Sequence, residues 1–335
     1  MLADYAHHVK ELGLKLVDPN DFPLKREVFR QGFRYRRIDG KSLSEKDKAR
    51  IIRLVIPPAW TDVRCCSKAN GHIQAVGQDA LGRRQYIYHE KCDAVRDSIK
   101  AQRLLAFGKA LPRIRKRIRK DMRGKAGSRL PLAALAVKLI DLNAFRAGHE
   151  KYAKDGGRGI ASLKRSDLKI EGNAAHFRFD GKSKKKHEIT IKDASVVKRL
   201  SGLKRPGRLF QYRDKRRWHK LNAGQVNQYL REVSGTKISA KDFRTFHGSA
   251  IALAFLAGTE VHSDTARKRA VAAAMRHVSL FLRNTPAVTR SSYVHPLVVE
   301  SFNAGALDRS LLRSPFRKGL SGPETGLMRL LEAAP

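Results

Sequence analysis

The order of apolar and polar positions divides the chain near residue 90. Upstream the period is mainly two. Phe33 to Ile38 alternates as a strand does, and Asp39-Gly40 supplies a turn after it. Val63 to Cys66, Ile73 to Val76 and Gln85 to Tyr88 also have β character, with Asn70-Gly71 and Gly82 between them. Two helices accompany these strands. One over 3–15 is broken by Asp18-Pro19-Asn20; one over 45–54 is capped by Ser44 and stopped by Ile56-Pro57-Pro58. Downstream the apolar spacing changes to three and four. It predicts helices over 90–109, 130–154, 193–201, 222–233, 240–257, 264–281 and 297–304. Leu168 to Ile170, His176 to Phe179 and His187 to Ile191 read as short strands, turning at Gly172-Asn173 and Asp180-Gly181. The pattern predicts an α+β protein. Its small β-rich domain occupies 1–92, and a larger, mainly helical domain with a small β-hairpin sheet occupies 93–335. The stretch after Ser314 contains Gly and Pro and is expected to be loosely ordered, although Met328 to Leu331 is apolar enough to dock.

Charge changes this picture most. Lys and Arg total 70 against 31 acidic residues, a net of +39 and a pI near 10.7. Such self-repulsion is tolerable mainly when a polyanion neutralises it, which points to nucleic acid. The surplus is uneven: residues 1–95 hold 18 basic and 12 acidic residues, leaving 52 and 19 for the remainder. A phosphate backbone should therefore lie along the C-terminal two-thirds. Arg113 to Lys120 is basic on nearly every face. It reads as a solvated helix face, a flexible hinge or a phosphate grip.

Cys65, Cys66 and Cys92 cannot make a disulfide framework, and without a CxxC pair they predict no structural zinc site. Neither a signal peptide nor the ~20 consecutive apolar residues of a membrane span is visible, so a reducing, cytoplasmic location is expected.

Breaking and resealing a phosphodiester without ATP requires a nucleophile that stores the bond energy, for which a tyrosine ester of phosphate serves. It also needs donors for the non-bridging oxygens, where arginine offers a planar bidentate fork, and an acid for the leaving oxygen, where a lysine among cations has a lowered pKa. Four local contexts carry such groups. Phe145-Arg146-Ala147-Gly148-His149-Glu150 falls within the helix expected over 130–154. Phe179-Asp180-Gly181-Lys182-Ser183-Lys184 puts Lys182 in a hairpin turn. Lys241-Asp242-Phe243-Arg244-Thr245-Phe246-His247 begins a helix. Asn284-Thr285-Pro286 precedes Tyr293-Val294-His295-Pro296 by nine residues.

In this order and context the residues resemble the bacterial and poxviral type IB DNA topoisomerases, over roughly residues 30–300. Ile56-Pro57-Pro58-Ala59-Trp60-Thr61, Gly71-His72-Ile73-Gln74-Ala75 and Gly82-Arg83-Arg84-Gln85-Tyr86-Ile87-Tyr88-His89 add to the likeness. The resemblance implies a fold of the tyrosine recombinase and type IB topoisomerase kind, closing as a clamp on DNA. It implies transient single-strand cleavage through a 3′-phosphotyrosyl bond and relaxation of supercoils of either sign. Tyr293 would be the nucleophile, Arg146 and Arg244 the scissile-phosphate ligands and Lys182 the general acid. Asn284 takes a place held by histidine in the viral enzymes. Gly148, Tyr152 and Lys241 would contact DNA phosphates, and Gln85, Tyr86 and Tyr88 the major groove. Tyr86 and Tyr88 share a strand face that could equally be core. No cofactor is implied: the sequence lacks a metal-ligand cluster and a GxxxxGK[ST] loop. The partner would be double-stranded, supercoiled DNA, bound by a monomer associated with the nucleoid. Arg283, Ala161-Ser162, His149 and Lys184 depart from the usual family pattern.

Two other readings fit parts of the sequence. A tyrosine recombinase generally carries His-x-x-Arg where this chain has Lys241-x-x-Arg244, and its N-terminal domain is helical. A non-enzymatic basic DNA-binding protein would explain the charge but not the placement of Arg146, Lys182, Arg244 and Tyr293. A polyelectrolyte contact of this kind releases counterions. Duplex affinity should therefore fall linearly in log Kd against log salt, with a slope of about 0.9 per phosphate neutralised. Filter binding at several salt concentrations measures it, and a flat line would exclude a phosphate-dominated interface.

Overall fold

The computed structural model describes residue 6 and residues 9–148, 157–181 and 185–334. It forms two compact units, Met1–Lys100 and Ala101–Pro335.

The first unit holds an antiparallel sheet of β1 (Leu24–Phe29), β2 (Gly32–Arg37), β3 (Thr61–Cys65), β4 (Ile73–Gln78) and β5 (Arg84–Tyr88), in the order β2-β1-β3-β4-β5. Helix α1 (Glu45–Arg53) starts where Ser44 Oγ accepts the Asp47 N–H at 3.1 Å. Leu24, Ile51, Val63, Cys65 and Ala75 make a core between helix and sheet. Strand β1 is absent from the sequence reading, and the reason is chemical. One of its inward positions is Arg26, a charge where alternation requires a hydrophobe. Its guanidinium donates to the carbonyls of Pro57 at 3.1 Å and of Trp60, and sits 4.1 Å from the Phe33 ring centroid. The Ile56-Pro57-Pro58-Ala59-Trp60 segment is thus a carbonyl cradle for a buried arginine. Gln74 plays a similar part, its amide donating to Gly71 O at 2.7 Å and holding the turn before β4. Most of the helix expected over 3–15 lies outside the described residues; residues 9–11 are helical and Gly13, at φ 71°, ends them. All three cysteines are buried and outside any disulfide, and burial pushes the Cys65 thiol up to about 12.

Helix α2 (Lys91–Asp121) runs far past the expected end at 109. The basic stretch 113–120 is its last turns, not a hinge. Ile114 and Ile118 are buried, Arg115 and Arg117 are ion-paired, and Lys116, Arg119 and Lys120 are left to solvent. Helix α3 (Arg129–Asn143) is buried along most of its length and forms the centre of the second unit. It stops at Asn143, because Ala144 takes a left-handed conformation at φ 50°; residues 149–154 of the expected helix lie outside the described residues. A three-stranded antiparallel sheet follows, β6 (Leu168–Glu171), β7 (Ala174–Asp180) and β8 (Lys186–Ile191) in sequential order. Next come α4 (Ala194–Ser201), the hairpin of β9 (Gln211–Asp214) and β10 (Arg217–Lys220), α5 (Ala223–Ser234), α6 (Ala240–Ala257) and α7 (Asp264–Leu282). Helices α8 (Pro286–Ser292), α9 (Pro296–Asn303) and α10 (Gly322–Ala333) complete the described elements. The β9–β10 hairpin and α8 escape the sequence reading: the first is almost wholly polar, and the second is too short to show a period. Among the described residues no helix is long and apolar enough to cross a membrane.

The C-terminal stretch expected to be loose is ordered as α10, with Leu327, Met328 and Leu331 buried, so its apolar residues do dock. Met328 packs so closely on α2 that a Cβ on Gly108 would fall 2.1 Å from its sulfur. A buried four-charge network also ties α10 down. Arg115 forks onto Asp141 at 2.9 Å and onto Glu324 at 2.8 Å, and His247 lies between the same carboxylates at 3.1 and 3.3 Å. Burial alone would strip the His247 proton, but hydrogen bonds to Asp141 and Glu324 outweigh it and raise the imidazole to about 9. A pKa raised on folding stabilises most below the unfolded value of 6.5 and ceases to do so as pH climbs through about 9. Glu324→Ala should therefore cost roughly 3–5 kcal/mol near pH 6.5, by leaving buried cations half-paired, and less above pH ~9. Urea unfolding at the two pH values tests this; an equal cost at both would refute the charged-histidine network.

Candidate active site at Tyr293

The end of α7 and the short α8 present the candidate tyrosine. Helix α7 closes at Arg283, whose backbone is left-handed (φ 54°, ψ 48°), and the Asn284 N–H returns to Ser279 O at 3.1 Å. Thr285 caps α8 and Pro286 occupies its first turn, where a missing N–H costs nothing. Tyr293 ends that helix, its N–H bonded to Thr289 O at 3.0 Å. Helix α6 holds the far side. Ser249 Oγ donates to Tyr293 O at 3.4 Å and accepts the His295 N–H at 3.0 Å. The preceding residue has to be glycine, because a Cβ on Gly248 would lie 2.8 Å from Tyr293 O. The phenol is thereby fixed in a nearly closed pocket, 8% exposed.

Arg146 reaches it from an extended segment after α3, not from within a helix as expected. The left-handed Ala144 turns the chain out of α3, and the segment pairs with 159–161 through Ile160 N–H to Arg146 O at 2.9 Å. Gly148 sits at φ 80° against Gly159, where a Cβ would approach its carbonyl carbon to 2.7 Å. Arg146 Nη1 donates to the Tyr293 hydroxyl at 3.2 Å, and Nη2 donates to Asn284 Oδ1. Arg244, on the second turn of α6, is 3% exposed and lies 4.7 Å from the Tyr293 ring centroid. Its Nη atoms donate to Leu282 O at 2.8 Å and to Ala144 O, so it joins the ends of α3 and α7.

These cations set the electrostatics. Burial would raise the Tyr293 phenol, but the charges of Arg244 and Arg146 outweigh it and hold the phenol below its usual value of 10.0. Burial and the Arg146 charge bring Arg244 down to about 10, which leaves it protonated at neutral pH. His187 on β8, stacked 5.1 Å from Phe179, is lowered to about 4 by burial and by the charges of Arg283, Arg146 and Arg244. It is a neutral imidazole at physiological pH. Two buried donors in this pocket have no partner among the described residues, Arg244 Nε and Asn284 Nδ2. Unsatisfied buried donors are costly, and an anionic oxygen supplied by a ligand satisfies both. The pocket thus gathers cations and unmet donors around a phenol held below its usual value.

Residues 89–306 match the family model for the eukaryotic DNA topoisomerase I catalytic core, and residues 32–79 that for the bacterial DNA topoisomerase IB N-terminal domain. The chain is 30% identical over 276 residues to DNA topoisomerase 1B of Acanthamoeba polyphaga mimivirus, an alignment covering 79% of this chain and 82% of the viral one. DNA topoisomerase 1 of Rabbit fibroma virus is 25% identical over 73% of this chain and 78% of its own. DNA topoisomerase 1B of Vaccinia virus (strain Copenhagen) is 23% identical over the same shares. The chain belongs to the type IB DNA topoisomerases. It is therefore an isomerase acting on DNA: the catalytic-core match bears against the non-enzyme reading, and the separate match of the N-terminal domain bears against the recombinase reading.

Of the topoisomerase residues singled out from sequence, the fold gathers Arg146, Arg244, Asn284 and Tyr293 into one pocket. Lys241 is exposed on the first turn of α6, one turn before Arg244. Strands β7 and β8 pair up to Asp180 and Lys186, while Lys182, expected in the turn between them, lies outside the described residues, as does Tyr152. Gln85, Tyr86 and Tyr88 belong to β5 of the first unit. Tyr86 is 38% exposed, Tyr88 packs against the core and Gln85 donates to Asp79 at 2.8 Å. The two rings thus differ: Tyr88 is partly buried against the core and Tyr86 is exposed. Sequence reasoning missed Gly248, Ser249 and His187. An isolated glycine in a predicted helix is the one available signal for the first; the other two acquire meaning only from distant neighbours. The Tyr293 phenol should be the first tyrosine to ionise, whereas burial and Asp121 raise Tyr229. An ultraviolet difference titration of Tyr293→Phe should lack the lowest tyrosinate step, and a step that persists would overturn the assignment.

Proposed function

We propose that Tyr293 is the nucleophile that opens one strand of duplex DNA, with Arg146, Arg244 and Asn284 binding the scissile phosphate. The observation that carries this reading is a pair of buried donors without a partner among the described residues, Arg244 Nε and Asn284 Nδ2, beside a phenol already hydrogen-bonded to Arg146. The phenolate oxygen attacks phosphorus, a 3′-phosphotyrosyl bond forms, and the bond to the 5′ oxygen breaks. The guanidinium groups offset the charge that grows on the non-bridging oxygens in the transition state. Asn284 donates through its amide but cannot relay a proton. Lys182, at the turn of the β7–β8 hairpin, delivers the proton that leaves with the 5′ hydroxyl and recovers it on resealing. The bond energy stays in the ester, so resealing needs no ATP.

The domains assigned to 1–92 and 93–335 close as a clamp on the duplex. Lys241, Gly148 and Tyr152 contact phosphates, and Gln85, Tyr86 and Tyr88 face the major groove. Between cleavage and resealing the free 5′ end swivels, which relaxes supercoils of either sign. The enzyme works as a monomer on supercoiled DNA in the cytoplasm. Support for this arrangement comes from the surplus of basic residues in the C-terminal two-thirds and from the exposed Tyr86 and Lys241.

Relaxation of supercoiled plasmid in EDTA, without ATP, tests the reading. Wild type should relax both signs and Tyr293→Phe neither, while Arg146→Ala and Arg244→Ala should slow single-turnover cleavage by about 10²–10³-fold. Denaturant should trap protein on the 3′ side of the nick and leave a 5′ hydroxyl that a polynucleotide kinase labels directly. A protein-linked 5′ end, or relaxation by Tyr293→Phe, would sink the proposal.

A further inference from the structure

We propose that Arg283 is a positioning residue for the cleavage reaction, locking the segment that carries Arg146 to the residue next to Asn284. Its backbone is left-handed at φ 54°, a conformation that glycine adopts freely and arginine does not. A residue held there against its preference calls for something its side chain does. That side chain crosses from the end of α7 to the end of α3. Its Nη2 donates to Asn143 O, and its guanidinium lies 5.8 Å from the Phe145 ring centroid. Arg283 thus grips the residues on both sides of Ala144, just ahead of Arg146, while Arg146 reaches back to Asn284 and to Tyr293. The two arginines link the same two segments in opposite directions. With Nη2 on a backbone carbonyl and its guanidinium over an aromatic ring, Arg283 acts on the geometry of Arg146 and Asn284. Burial and the neighbouring charges of Arg244 and Arg146 lower it to about 10, so it is still charged at neutral pH.

The test compares Arg283→Gly, Arg283→Asn and Arg283→Lys in the full chain. It rests on Tyr293 being the nucleophile, so Tyr293→Phe is assayed alongside. Glycine and asparagine both accept the left-handed backbone, so their thermal midpoints should match or exceed wild type. Duplex affinity should change little, yet single-turnover cleavage should fall roughly tenfold or more, as expected when catalytic groups lose alignment. The pH profile of cleavage should also move upward in both, because a released Arg146 no longer holds the Tyr293 phenol low. Arg283→Lys, which keeps a cation and a donor, should recover part of the rate. Cleavage by Arg283→Gly at the wild-type rate with an unshifted profile would overturn the inference. So would a rate loss that merely follows the unfolded fraction in all three variants. Cleavage by Tyr293→Phe would instead overturn the nucleophile assignment, whatever the Arg283 variants do.

Discussion

Three guanidinium groups share one half-buried pocket, and the rest of the catalytic unit is arranged around making that tolerable. Among the described residues no carboxylate accepts from Arg146, Arg244 or Arg283. The acceptors are instead the carbonyls of Asn143, Ala144 and Leu282, together with the Asn284 amide oxygen and the Tyr293 hydroxyl. Those three carbonyls lie at the C-terminal ends of α3 and α7, where unsatisfied C=O groups and the helix dipole carry partial negative charge. A carboxylate would bind the arginines more tightly but would compete with a phosphate for them. Helix ends offset the repulsion without neutralising the pocket, and its positive potential remains available to an incoming anion.

The same pocket shows how neighbouring cations bring a phenol toward its anion. Ordinary burial raises a tyrosine, as it does for Tyr35 and, with Asp121 adjacent, for Tyr229. At Tyr293 the burial is comparable in kind but the neighbours are cations, and the direction reverses. This needs close and lasting contact. The packing supplies it: Gly248 admits the Tyr293 carbonyl, Ser249 binds the backbone on both sides of Val294, and the buried Arg115–Asp141–His247–Glu324 network braces α6 one turn beyond Arg244. The last helix of the chain therefore supports the site through Glu324.

Much of this was legible in the residues themselves. Helices such as α6 and α7 have long apolar periods, and Ser44, Gly172 and Gly181 punctuate them and the strands, so element types followed from local rules. Tyr293, Arg146, Arg244 and Asn284 stood out through their contexts. What escaped were places where a polar group replaces a hydrophobe because distant atoms satisfy it. Strand β1 hid behind Arg26, whose carbonyl partners lie some thirty residues away. The end of α3 hid because Ala144 has no sequence signal for a left-handed turn, and it is Arg244, from a different helix, that occupies its carbonyl. The tail after Ser314 read as loose because its anchor, Glu324, finds Arg115 and His247 only in the folded chain.

The sequence by itself determined the alternation of sheet and helix, the excess of positive charge and the identity of the groups able to do the chemistry, because each rests on short-range pattern or composition. Tertiary structure alone decided that Arg146 leaves its helix to meet Tyr293, that Arg283 spans two helix ends, and that Arg244 Nε and Asn284 Nδ2 find no partner among the described residues. Distances and unmet hydrogen bonds depend on atoms brought together from 38 to 147 positions apart, and no local rule carries that information.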